Sequence, residues 1–148
     1  MPTDEEKHAL ESIYDAAIEG KNLDAVAVLA PPFSLSDFLD AGLNGYRLML
    51  TLANHFAAKQ NFSKAEEYLR PLLRLDLSEE IYGEESGIAA YKVTAQKIYL
   101  GCLLGRGNAA GAEIVFDTAV AEYTRLNMPD MMAELADAFA ACKKGAKL

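Results

Sequence analysis

His55, the cysteines Cys102 and Cys142, and the carboxylate pairs Glu66-Glu67, Glu79-Glu80 and Glu84-Glu85 are the side chains whose types could do chemistry. Histidine titrates near neutrality and is the commonest metal ligand, but a metal or general-base site draws on several converging groups. His55 has no such company: the other histidine, His8, is far away in sequence, and no HExxH occurs. Adjacent residues on a helix diverge by about 100°, so the acid pairs read as solvated faces or loop charges rather than paired catalytic carboxylates. The cysteines lack CxxC or Cys/His spacing and read as small buried or half-buried thiols of a reducing compartment. The stretch GCLLGRG from Gly101 to Gly107 lacks the Lys-Ser/Thr that cradles phosphate, and no GxSxG is present. It reads as a tightly packed helix end. The residues therefore predict no catalytic site, no metal and no cofactor.

The chain has 148 residues, enough for one domain with a real core. Fourteen Lys and Arg against 22 Asp and Glu give a formal charge of -8, which repels nucleic acid and anionic membranes on average. No apolar run approaches the roughly 18 residues that suggest a membrane span. The start, Met1-Pro2-Thr3-Asp4-Glu5-Glu6, lacks the basic-then-apolar layout of a signal peptide. The expectation is a cytoplasmic protein.

Any site must be positioned by helices, because helical signals run almost end to end. Thr3 and Glu6 fit a capping box opening a helix to about Gly20. A short helix fits Leu23 to Ala30, stopped by Pro31-Pro32, and another fits Ser34 to Ala41. Apolar spacing places a helix from Tyr46 to about Lys59. Ser63 with Glu66 suggests a second capping box, and Pro71 predicts a kink or early end of that helix. Residues 77–86 form the longest candidate loop, with Ser86 available as a cap for the next helix. Helices are expected over about 87–105 and 109–126, turning through Gly105, Gly107 and Asn108. Pro129 suits the first position of a last helix reaching about Cys142. No alternating strand pattern occurs, so the expected class is all-α, with antiparallel helices joined by short turns.

Within this pattern a repeat emerges. Leu52, Ala53 and Phe56 in one helix are followed by Phe62 after the turn and by Ala65 in the next. This resembles the tetratricopeptide repeat (TPR), whose small residues let paired helices approach while the large ones fill the space between pairs. Leu72 stands where the family prefers Ala, and Leu77 replaces its usual Pro. Leu100, Gly101 and Leu104, with Ala112, Phe116 and Ala119, form a second copy, and Leu135, Ala136 and Phe139 repeat the first-helix signal. Gly101 and Ala136 are 35 residues apart, near the family period of about 34. The longer spacing from Ala53 to Gly101 resembles the extended linker of kinesin-light-chain-type repeats. The resemblance divides a single domain, 1–148, into a degenerate pair at 4–30, repeats at 46–77 and 87–126, and a terminal helix at 129–142. It implies antiparallel hairpins stacked as a short right-handed superhelix.

The resemblance further implies a concave groove lined by the first helices of successive repeats. The corresponding residues are Arg47, Leu50 and Asn54 with Ala57 and Ala58, then Ile98, Tyr99, Cys102 and Arg106, and finally Glu134 and Asp137. Some family members clamp a chaperone's C-terminal carboxylate here with Lys and Asn. Asn54 matches that clamp, but Leu50 and Ala95 do not. The expectation is a non-enzymatic scaffold or adaptor receiving a peptide or helix of another protein. The alternative is a self-assembling structural protein, a homodimer that uses its apolar faces. The apolar last helix, with Met128, Met131, Met132, Leu135 and Phe139 and no evident polar cap, supports that alternative.

Overall fold

The computed structural model describes residues 3–29, 34–77 and 87–144, and these are all-α. The helices are α1 (Asp4–Ile18), α2 (Leu23–Leu29), α3 (Leu35–Asp40), α4 (Gly45–Ala58), α5 (Phe62–Leu73), α6 (Ile88–Gly105), α7 (Ala109–Arg125) and α8 (Pro129–Lys143). The Thr3–Glu6 capping box forms in both directions, at 3.1 and 3.2 Å, and Ser34 caps α3 in the same way with Asp37. Pro129 opens α8, where its missing N–H leaves no helical bond unmade.

One local expectation is corrected. Ser63 and Glu66 do not form a capping box: the N-cap stands two residues earlier, at Asn61, whose side chain accepts from the Lys64 N–H, and α5 starts at Phe62. Pro71 lies inside α5, which ends two residues beyond it at Leu73, close to the early end expected there. The bond it cannot make is the one to the Glu67 carbonyl one turn earlier, and the helix continues only two residues past it. The expected loop over 77–86 and its Ser86 cap fall almost wholly outside the described residues. Gly87, with φ at +74°, is the N-cap of α6 and makes no side-chain cap bond.

One helix ending recurs five times. Helices α1, α3, α4, α6 and α7 each close with a left-handed residue: Gly20, Gly42, Gln60, Gly107 and Asn127. In each, the next N–H reaches back five residues, as in Asn61 to the Phe56 carbonyl (2.9 Å), Asn108 to Leu103 (2.8 Å) and Met128 to Tyr123 (2.8 Å). This is the Schellman ending, which satisfies otherwise orphaned carbonyls. Asn61 and Asn108 close one helix with the backbone and cap the next with the side chain. Three-residue connections of this kind fold α4–α5, α6–α7 and α7–α8 into tight hairpins.

The hairpins share one core. Helix α5 packs on α4 and α6, α7 packs on α6 and α8, and α4, α6 and α8 lie side by side. Ala53, Ala65, Ala95, Ala112 and Ala119 are buried where the helices approach, with Leu48, Leu52, Leu69, Leu72, Leu100, Tyr123 and Phe139 filling the space between them. Helices α1 and α2 pair with each other and both pack on α4, to which α3 also adds. In α8, Met128, Leu135 and Phe139 are buried and Met131 and Met132 half-buried, whereas Ala133, Glu134, Asp137, Ala140 and Ala141 face outward. The outer face of α8 is thus polar and small, contrary to the apolar end read from its composition. No described helix is long and apolar enough to cross a membrane.

Candidate partner-binding groove

The side-by-side row of α4, α6 and α8 has a common direction. Near the starts of α4 and α6, Tyr46 stacks on Tyr91 with ring centroids 5.2 Å apart, and the Asn44 amide donates to the Tyr91 hydroxyl at 2.9 Å. Midway along α6, Lys97 is ion-paired with Glu134 of α8 at 2.9 Å. Toward the helix ends, the row opens into a cavity of about 390 Å³.

Asn54, Ala57 and Ala58 of α4 form one wall of this cavity. Lys97, Ile98, Gly101 and Cys102 of α6 form the floor, and Ala138 and Cys142 of α8 the far wall. Phe62, at the start of α5, closes the end beneath α6. There the Phe62 ring lies so close to Gly105 that a Cβ at that glycine would stand 2.6 Å from its tip. Alanine and glycine walls explain the opening: three helices carry short side chains toward the same space, and the large residues of each helix are committed to the core behind it.

The groove is apolar with sparse polarity. Its exposed amide is Asn54, and its lysine is already paired with Glu134. Burial, reinforced by the Glu66 carboxylate and opposed by Arg106, pushes the Cys102 thiol up to about 11, and burial also raises that of Cys142. Both therefore stand as neutral thiols near pH 7, poor nucleophiles and good apolar lining. Among the described residues, no three His, Cys, Asp or Glu side chains gather as a metal site. His55 lies outside the cavity and bonds to Asp24 of α2 at 3.0 Å, its ring edge-on to Phe56.

The residues expected to line a groove divide accordingly. Asn54 and Cys102 meet in the cavity, together with Ala57, Ala58 and Ile98. Leu50 is half-buried and Arg47 exposed, both on α4 before the cavity. Arg106, just past α6, turns to Glu66 of α5 at 2.8 Å, and Glu134 is held by Lys97. Asp137 is exposed on α8. Tyr99 lines a separate depression with Leu73 and Ile114, on the side of α6 that meets α7. Lys97, Ala138 and Cys142 line the cavity without having been expected there. Their signal is helical spacing: Lys97, Ile98, Gly101 and Cys102 form one stripe of α6, from which Tyr99 is turned away. Comparison of the chain with protein-family models, with curated proteins and with solved structures finds no match.

Proposed function

We propose that this protein is a non-enzymatic interaction module that receives a peptide or helix of a partner protein in the α4–α6–α8 groove. The observation that carries the reading is the cavity of about 390 Å³ walled by Ala57, Ala58, Gly101 and Ala138 and edged by Asn54 and the Lys97–Glu134 pair. An apolar trough with few polar groups suits the insertion of a partner's apolar side chains, with the rim fixing register. The repeat resemblance, which implies a groove on the first helices of each pair, supports the same assignment. So do the matching helix endings and the regular succession in which α5 bridges α4 and α6, and α7 bridges α6 and α8. A cytoplasmic setting fits the neutral, unpaired thiols.

Selection of displayed peptides on the wild-type chain tests this. Selected sequences are expected to shield Cys142 from alkylation and to bind Ala58→Arg at least roughly tenfold more weakly. Ala58 is exposed, so the substitution leaves the fold intact. Equal binding to both proteins would remove the groove from consideration.

A further inference from the structure

The N-terminal hairpin presents a second apolar surface that shares no lining residue with the α4–α6–α8 groove. Between α1 and α2 lies a groove of about 340 Å³, lined by Ala9, Ser12, Ile13 and Ala16 of α1 and by Val26 and Leu29 of α2. Ile13 and Val26 form its buried floor. Leu29, on its α2 wall, is 61% exposed, and Val28, next to it in sequence on the outer face of α2, is 76% exposed, two of the three large exposed hydrophobic residues in the described structure. Exposed aliphatic side chains beside an apolar trough mark an interaction surface more than scattered surface leucines do.

Acids outnumber bases around this trough, where His8 and Lys21 are the basic side chains nearest the stripe. Glu5, Ala9, Ser12, Ala16 and Glu19 recur at helical spacing along α1, so the small residues lie between two acids, and Asp15 flanks the same stripe. Glu5 and Asp15 have no ion-pair partner among the described residues, while Glu19 meets Lys21 at 3.0 Å on the open surface.

We propose that this face docks an amphipathic helix from a partner protein, its apolar stripe in the α1–α2 groove and its flanks carrying lysine or arginine. A helix suits a trough between two helices, which it completes as the third member of a bundle. The basic flanks follow from the unpaired acids. A second copy of this chain is the poorer occupant. Two-fold packing of this face on itself sets Glu5 and Asp15 against an equally acidic surface, and each chain brings a net charge of -8.

Three synthetic helical peptides test the proposal on the full chain by fluorescence anisotropy. One has a leucine stripe and lysine flanks, one has glutamate flanks, and one scrambles the lysine peptide. The lysine-flanked helix is expected to bind at least roughly tenfold tighter than the other two, and more weakly as salt rises. Val28→Asp/Leu29→Asp removes that binding, with an unchanged thermal melt because both positions are exposed. Glu5→Lys/Asp15→Lys reverses the preference toward the glutamate-flanked peptide. Ala58→Arg, in the other groove, leaves it untouched, so failure of one site is distinguishable from failure of the other. Equal binding of all three peptides, or binding that survives Val28→Asp/Leu29→Asp, overturns the proposal. So does a sedimenting dimer that Val28→Asp dissociates, which would assign the face to a second copy.

Discussion

The Lys92 ammonium group lies 2.9 Å from the Glu122 carboxylate, with only 7% and 21% of the two side chains exposed. The same ammonium donates to the backbone carbonyl of Leu75, just beyond α5. One side chain of α6 therefore holds the end of α5 and the last turns of α7. Removing one partner of such a pair leaves the other desolvated, which costs about 3–5 kcal/mol when both are fully buried. Glu122 keeps some contact with water, so Lys92→Met is expected to cost roughly 2–4 kcal/mol in urea denaturation. Lys92→Met/Glu122→Leu should recover most of that loss. A double variant as unstable as the single one would show that the Leu75 carbonyl, not the ion pair, dominates.

Gln60 occupies the left-handed position of the α4 ending with φ at +63°, where α1, α3 and α6 have glycine. A side chain there costs about 1–2 kcal/mol per residue in steric terms, partly offset by glycine's greater freedom in the unfolded chain. Gln60→Gly is therefore expected to raise stability by about 0.5–1 kcal/mol, read as a higher urea midpoint with an unchanged slope. Gly107→Ala, the reverse change at φ +77°, should lower it. A stabilising Gly107→Ala would contradict this account of the turns.

The helices are legible in the sequence because each carries period and punctuation: the Thr3–Glu6 box, Pro129 at a first helical position, and Gly107-Asn108 between α6 and α7. Where sequence and structure part, the causes are physical. Asn61 and Ser63 are both competent caps. The choice falls to Asn61 because the Schellman ending of α4 places its backbone where the next helix must begin. Half of the groove is legible for a similar reason: Asn54 and Cys102 lie on stripes fixed by helical spacing. Tyr99 has the size of an anchor, yet the rotation of α6 is set by how Gly101 and Cys102 bury, and that sends Tyr99 to the opposite side. The acidic edge of the α1–α2 trough is present in the spacing of Glu5, Ala9, Ser12, Ala16 and Glu19. Without α2 beside it, that row reads only as a solvated helix face.

Asp24 ties the N-terminal hairpin to α4, accepting from Lys59 at 2.8 Å and bonding to His55 at 3.0 Å. The Lys59 bond first, and that of His55 second, hold its carboxyl below the ordinary value of 3.8. A carboxyl depressed by folding adds stability above its unfolded value, and that contribution disappears as pH falls through the folded one. Wild type should therefore exceed Asp24→Asn in stability at neutral pH, with the difference closing below pH 3.8. Because the group is open to solvent, added salt should narrow the gap at neutral pH as well. A difference that persisted unchanged at low pH would show that shape, not charge, matters at this position.

Gly105 and Phe62 set two effects of opposite sign against each other. Gly105 is the last residue of α6, and alanine in a helix is favoured over glycine by up to about 1 kcal/mol. A Cβ there would, however, stand 2.6 Å from the tip of the Phe62 ring, far inside contact distance. Overpacking of this kind costs about 1–3 kcal/mol, so Gly105→Ala is expected to destabilise by roughly 1 kcal/mol net. Phe62 also lines the end of the cavity, so a displaced ring should change ligand affinity at the α4–α6–α8 groove as well. Phe62→Leu shortens the obstructing side chain. On that background the sign should invert, with Gly105→Ala becoming neutral or stabilising. The check is a double-mutant cycle in urea, where coupling between positions 62 and 105 of at least roughly 1 kcal/mol is expected. Additive effects would mean that the Phe62 ring rearranges freely and does not shape the end of the groove.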